Sequence, residues 1–359
     1  MGSPVIIPFA DLSREHAALR DELHAAAARV LDSGRSLYGP ELEAFEREIA
    51  DWHGVKYAVG VASGTDAVEI ALRATSASDP STGVVDSADV TAMTAPATIN
   101  AMEASGTIPI LKDIDPVTRN ARNCDLQVHL YGLAEDATRA DVEDVAHAMG
   151  ATWNGQLAGT MGRCGALSAY PSKILGAAGD GGVIITNDAE IAEACRLIRH
   201  YGLTETRDIQ RRGQNSRLSE MQAAILRVKL PHVNEWIERR QAIARQYDEE
   251  LFGHVTIPAT LASEGREDYA HDVEHVYHVY VIESPERDRI AAHLRERGIS
   301  TMVHYGRAIH QYTRWAHLGE PGQFPNAERL AAECLSLPLY PFLRDDEVDA
   351  VIAAVKEAT

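Results

Sequence analysis

The chain has 359 residues, with 53 Asp and Glu against 34 Lys and Arg, a formal charge of −19 with His neutral. That length suggests one large or two medium domains, and a hydrophobic fraction of 45% is enough to bury a core without staples. The negative field repels polyphosphate backbones and anionic membrane surfaces, which excludes non-specific binding to either, but a small anionic ligand can still be held by local dipoles.

Residues 14–32 carry apolar positions at helical spacing, the run GRSLYGP is a loop, and ELEAFEREIADWHG is a second helix ending at Gly54. YAVGVA (57–62) is a short apolar strand, and after SGT the run DAVEIALRA (66–74) is a helix, a strand–turn–helix unit of α/β type. Residues 75–89 are turn-rich and polar. VTAMTAPATINAMEASG (90–106) is predicted as strand, turn and helix, TIPILKDID (107–115) as a strand, QVHLYG (127–132) as a strand, and 134–149 as a helix. ALSAYPSK (166–173) and GGVIITND (181–188) are two strands joined by a Gly-rich turn. A helix follows over 189–202, then a long helical pattern over 219–253 with a break at Pro231. Beyond it the character changes: an alternating strand with an exposed polar face (275–283), a helix (287–298), a strand (299–305), a loop-rich insertion (306–326), a helix, LSLPLYP and a final helix. The expected boundary lies near residue 250, giving a large α/β domain (1–250) and a smaller α+β domain (251–359).

Four cysteines, Cys124, Cys164, Cys195 and Cys334, form no C-x-x-C pair and no metal or disulfide framework. The start MGSPVIIPFADL has no basic region followed by a long apolar run, and nowhere do 18 apolar residues run together. The expectation is a soluble cytoplasmic protein with no membrane span.

Four places could carry chemistry. Lys173 lies between an apolar strand and a Gly-rich turn, where desolvation would lower its pKa and free the amine for Schiff-base chemistry; the plainer alternative is a surface lysine. Ser63-Gly64-Thr65 joins a strand to a helix start and suits either an anion site or an ordinary cap. Asp144, with His147 three residues on, is either a strand end pointing into a cleft or part of a solvated acidic helix face beside Asp141 and Glu143. Asn215 is a loop or capping residue ahead of a long helix.

Order and context combine these residues. PFADLSREHAALRDEL, SGRSLYGPELEAFEREIADWHGVKYAVGVASGTDAVEIALRA, AYPSKILGAAGDGGVIITND, RHYGLTETRD, GQNSRLSEMQAAILRVKL, VYHVYVI, RDRIAAHLRERGISTMVHY and FPNAERLAAECLSLPLYP follow one another. Together they resemble the DegT/StrS-type sugar aminotransferases, which use pyridoxal 5′-phosphate (PLP). The resemblance implies the fold of the aspartate aminotransferase superfamily, fold type I, an α/β fold with a large mixed sheet. It implies that Lys173 forms the internal aldimine and that Ser168, Gly64 and Thr65 hold the phosphate. Asp144 matches the acid paired with the pyridine nitrogen, and His147 a position near the ring hydroxyl. Asn215 matches a residue reaching the neighbouring subunit's phosphate, which implies a homodimer with shared sites. His304, Tyr305, His310 and Tyr38 are candidate substrate contacts.

The implied reaction moves an amino group, with glutamate as donor, to a nucleotide-linked keto-deoxysugar by a ping-pong route, with a lean to C-3. A keto-cyclitol aminotransferase and a non-catalytic sensor with this fold are the alternatives. The chain departs from the family in two short stretches, PVTRNARNCDLQ and LAEDATRADVEDVAHA, and in lacking an aromatic in AMTAPATINA, where Met93 or Ala95 would cover the ring.

Overall fold

A central sheet grows out of short apolar runs whose residues face hydrophobic cores on both sides, as parallel α/β strands require. The computed structural model describes residues 6–76, 86–258 and 272–359. The polar segment expected at 75–89 falls largely outside the described residues.

The chain opens with α1 (Leu12–Ala18), α2 (Arg20–Ser33) and α3 (Pro40–His53). Next come β1 (Tyr57–Val61), α4 (Gly64–Thr75), β2 (Ser87–Thr91), α5 (Pro96–Ser105) and β3 (Ile108–Lys112). Short strands β4 (Leu126–Val128), β5 (Val142–Asp144), β6 (Thr152–Trp153) and β7 (Gln156–Leu157) precede β8 (Cys164–Ser168) and β9 (Gly182–Thr186). Three helices follow, α6 (Ala189–Arg199), α7 (Glu220–Lys229) and α8 (Val233–Leu251), the last two separated by a 3-10 turn at Pro231. The C-terminal part holds β10 (Val273–Glu274), β11 (Tyr280–Glu283), α9 (Arg287–Glu296), α10 (Pro325–Glu333), β12 (Cys334–Leu337) and α11 (Asp345–Ala358).

The main sheet runs β1-β9-β8-β5-β4, with β4, β5 and β8 parallel and β9 antiparallel to both its neighbours. The parallel pair β2-β3 continues it: β2 packs beside β4, where the Asp89 N–H donates to the Asp125 carboxylate at 2.9 Å. Ile184 of β9 enters one core with α4, α5 and α6; Val183 and Ile185 enter the other with α3 and α7. The antiparallel pair β11-β12 lies between the first core and a third, formed with α8, α9 and α11. Because β1, β4, β5 and β8 point the same way, their carboxyl ends share one edge of the sheet, where open α/β sheets bind ligands.

The predicted strand 127–132 ends at Val128, with a 3-10 turn over Leu130–Gly132, and three further predicted elements differ from this structure. Residues 134–149 hold no helix; they form a loop and then β5, whose three residues are fully buried. The charged pattern misled because Glu143 is satisfied internally, accepting from the N–H groups of Gly159, Met161 and Gly162 and pairing with His129 Nε2 at 2.9 Å. In 275–283 only β11 is regular, and it is buried on both faces; its one charge, Glu283, pairs with Arg119 at 2.6 Å and Arg329 at 2.5 Å. Residues 299–305 make only single bridges, Ile299 to Ile7 and Met302 to Ser336. Among the described residues no helix is long and apolar enough to cross a membrane.

Glu220, at the first turn of α7, caps a different helix. Its carboxylate accepts from the N–H groups of Gly39, Glu41 and Leu42 at 2.9–3.0 Å, closing the start of α3. A Cβ on Gly39 would stand 2.5 Å from Glu220 Oε2, so a side chain there would displace the capping carboxylate. Replacing Glu220 by Ala leaves three amides without acceptors, with an expected loss of about 2–4 kcal/mol in urea unfolding.

Candidate active site

At the shared carboxyl edge lies a cavity of about 320 Å³, within the range of roughly 300–1,000 Å³ common for small-ligand clefts. Gly64, Thr65, Asp144, His147, Ser168 and Lys173 all line it. The sequence reasoning thus named six residues from three separate segments that the fold gathers around one space.

One end of the cavity is the start of α4. Ser63 caps the helix, its hydroxyl accepting the Asp66 N–H at 3.1 Å, which leaves the amides of Gly64 and Thr65 for a ligand. Ser168, at the end of β8, presses against this turn: a Cβ on Gly64 would lie 2.5 Å from Ser168 Cβ. Glycine therefore permits the helix start and the Ser168 hydroxyl to address the same anion.

The other end is Asp144, which terminates β5 and is 6% exposed. Thr98 donates its hydroxyl to Asp144 Oδ2 at 2.9 Å, and the Ala146 N–H donates to Oδ1 at 3.1 Å. Thr94 hydrogen-bonds Thr98 in turn at 3.0 Å. His147 sits beside it, buried. The Tyr131 N–H donates to His147 Nδ1 at 3.3 Å, which puts the ring proton on Nε2, facing the Tyr305 hydroxyl at 3.4 Å. Burial, reinforced by the charges of Lys173 and His304, pushes the His147 pKa well below the ordinary range, so the ring is neutral.

Lys173 lines the same cavity. Burial pushes its ammonium down to about 8, and the Asp144 charge partly opposes that fall. An anion cradle, a softened amine and a fixed carboxylate in one cavity are complementary to PLP, which carries a phosphate, an aldehyde and a basic ring nitrogen. Ala95 lines the cavity and Met93 is buried in the first core, so of these two only Ala95 can face a ring.

Other candidates are distributed unevenly. Tyr305 joins the site through His147, and His304 flanks it; burial and then the Lys173 charge push His304 to about 4, and its Nδ1 lies 2.8 Å from the Ser336 hydroxyl. His310 does not line the cavity; it pairs with Glu328 at 3.1 Å and packs edge-on against Phe324. Tyr38 and Asn215 belong to a second cluster, with Asn215 bridged to His200 and the Tyr38 ring against His200 and Arg199. Sequence reasoning missed Thr98, Tyr131 and His278, whose ring packs at a tilt against His147 with centroids 4.6 Å apart. Only Thr98 had a local signal, four residues after Thr94 across the helix-starting Pro96.

The sequence profile of the DegT/DnrJ/EryC1/StrS aminotransferase family matches residues 17–127 and 123–356. The dTDP-3-amino-3,4,6-trideoxy-alpha-D-glucose transaminase of Streptomyces venezuelae is 39% identical, over 98% of this chain and 96% of its own. A pleiotropic regulatory protein of Geobacillus stearothermophilus is 37% identical, over 98% of both chains. The crystal structure of S. venezuelae DesV in complex with a ketimine intermediate superposes with a TM-score of 0.89 at 37% identity, covering 99% of this chain and 98% of that one. The chain belongs to the DegT/DnrJ/EryC1/StrS family and is an aminotransferase with the fold type I architecture.

The position of Lys173 has a pH signature in the free protein. Its folded pKa of about 8 lies below the ordinary 10.5, so the folded state binds fewer protons between those values and gains stability as pH rises through that window. Lys173→Met removes the buried charge. The variant's melting temperature without cofactor is expected to exceed wild type most at pH 7 and to converge with it towards pH 10; a difference independent of pH would contradict the burial of the amine.

Proposed function

We propose that this enzyme transfers an amino group from an amino-acid donor, glutamate being the expected one, to a nucleotide-linked keto-deoxysugar at C-3, with PLP held in the cavity. The observation that carries this reading is that Lys173 shares one cavity with the α4 N-terminus and the Asp144 carboxylate. Members of the family are PLP-dependent aminotransferases, and the named Streptomyces relative makes a 3-amino sugar, which supports the C-3 position.

In this reading the Gly64 and Thr65 amides and the Ser168 hydroxyl hold the phosphate. Asp144, braced by Thr98 and the Ala146 N–H, keeps a proton on the pyridine nitrogen, because a nearby opposite charge favours the charged form. His147 offers Nε2–H towards the ring hydroxyl. When bound, PLP supplies the electron sink that stabilises a carbanion at the substrate carbon. With the substrate amine engaged, Lys173 Nζ would be the group that takes up and gives back the proton at the substrate carbon. A lowered lysine pKa suits this exchange, since proton transfer is most effective when the group titrates near working pH. Tyr305, beside His147, and His304 are the candidates to contact the sugar.

We further infer that the site is completed by a second copy of the chain. Around Asn215, the Tyr38 hydroxyl, His200 Nδ1 and Arg217 Nε are buried without hydrogen-bond partners among the described residues. Such orphaned groups support a surface finished by a ligand or a partner.

Two experiments test these readings. Adding PLP to the protein should produce an absorption band at the visible edge, which glutamate bleaches and Lys173→Ala abolishes. Without band or bleaching the transaminase reading of this cavity falls, and the regulatory alternative gains. For the shared site, Lys173→Ala and Asn215→Ala are each expected to be nearly inactive. Co-expressed, they should recover about a quarter of wild-type turnover, because half the dimers are hybrids with one intact site. No recovery above the separate variants would rule out sharing through Asn215.

A further inference from the structure

The loop that carries Lys173 is gripped from beneath by a charge outside the cavity. Lys229, the last residue of α7, is fully buried. Its Nζ donates to the Gly176 carbonyl at 2.7 Å and pairs with Glu15 Oε1 of α1 at 2.6 Å. A buried ammonium is tolerated only when paired and hydrogen-bonded, so both contacts are needed to keep it inside. Neither partner belongs to the cavity lining, and no step proposed above uses this pair.

Its position gives it a purpose. Residues 169–177 form a closed loop. The Ala177 N–H donates to the Ala169 carbonyl at 2.9 Å, the Ala169 N–H to Gly181 at 2.8 Å, and the Lys173 N–H to Tyr170 at 2.8 Å. These bonds pin the neck and one side of the loop. Gly176 lies hard against Pro171, where a Cβ would sit 2.1 Å from the carbonyl oxygen, so the two sides of the loop are in contact. The Gly176 carbonyl, three residues from Lys173, is a polar point at which the side following Lys173 is fastened to the helices below, beside the packing of Ile174 and Leu175 and the Ala178 N–H bond to Gln222 at 2.9 Å. A shift at Gly176 carries the Lys173 backbone with it.

We propose that Lys229, neutralised by Glu15, is a positioning residue for Lys173, setting the depth at which the Lys173 amine enters the cavity and tying it to the first helix of the chain. This rests on the role proposed above for Lys173. A misplacement of about an ångström at a reacting group is costly to chemistry even when the fold survives.

The test reads Lys173 in the cofactor-free protein. Acetylation of Lys173 by acetic anhydride is followed by mass spectrometry across a pH series for wild type, Lys229→Met, Lys229→Arg and Glu15→Gln. Wild type should titrate near 8. Lys229→Met should raise that midpoint by about one unit as the loop relaxes and the amine meets water, and weaken PLP binding in equilibrium dialysis by about tenfold. Glu15→Gln should move both in the same direction by less, and Lys229→Arg should lie closer to wild type than Lys229→Met does. A purely structural pair would lower the melting temperature and leave the Lys173 midpoint unmoved. An unmoved midpoint in folded Lys229→Met, or in Glu15→Gln if the first variant does not fold, overturns the proposal. If the midpoints move but PLP binds to none of the proteins, the positioning role stands and the cofactor reading fails.

Discussion

An amine and a carboxylate facing one cavity make the constraint that the rest of this structure serves. Burial alone would drive Lys173 far towards neutrality; Asp144 alone would hold it charged. Together they leave it near 8, where it can exist in either form at modest cost. That balance depends on distance and on exclusion of water, so each group is fixed by something other than the other. Asp144 is held by Thr98 and a backbone amide, Lys173 by a loop whose neck is sealed with main-chain hydrogen bonds. Neutral His147 adds a donor beside them without adding a cation, which would depress Lys173 further.

The legible parts of the site were those tied to local backbone chemistry. Gly64 was visible because a strand, a small-residue turn and a helix adjoin in sequence, and Lys173 because a Gly-rich turn follows an apolar strand. Both line one cavity at one edge of the sheet. Thr98, Tyr131 and His278 act through contacts made across the fold, and their types and spacings do not distinguish them from packing residues. His310 shows the opposite error. A histidine in a loop beside the expected cleft was a reasonable candidate, yet it does not line the cavity; its Nε2 pairs with Glu328 and its ring packs on Phe324.

The segment before Asp144 was the hardest to read, and its physics explains why. Sequence patterns identify strands by apolar runs, because an unsatisfied buried charge is costly. Here β5 contains a glutamate that is fully buried and fully satisfied, by three loop amides and a histidine. The same failure recurs at Glu283 in β11, where two arginines supply the compensation. In both places the charge is legible only once its partners, distant in sequence, are known.

Those internal carboxylates also account for how the chain keeps its site with so little strand. β4 and β5 have three residues each, too few for ladder hydrogen bonds alone to fix the end of β5 tightly. Glu143 supplies the missing restraint. Its side chain points away from Asp144, as strand alternation requires, and binds the loop over Gly159–Gly162 and His129 of the segment after β4. One residue is thus anchored on the far face so that its neighbour can project rigidly into the cavity. Two three-residue strands hold a well-placed acid because a buried polar network adds to their ladder, and such a network works only while every member is satisfied.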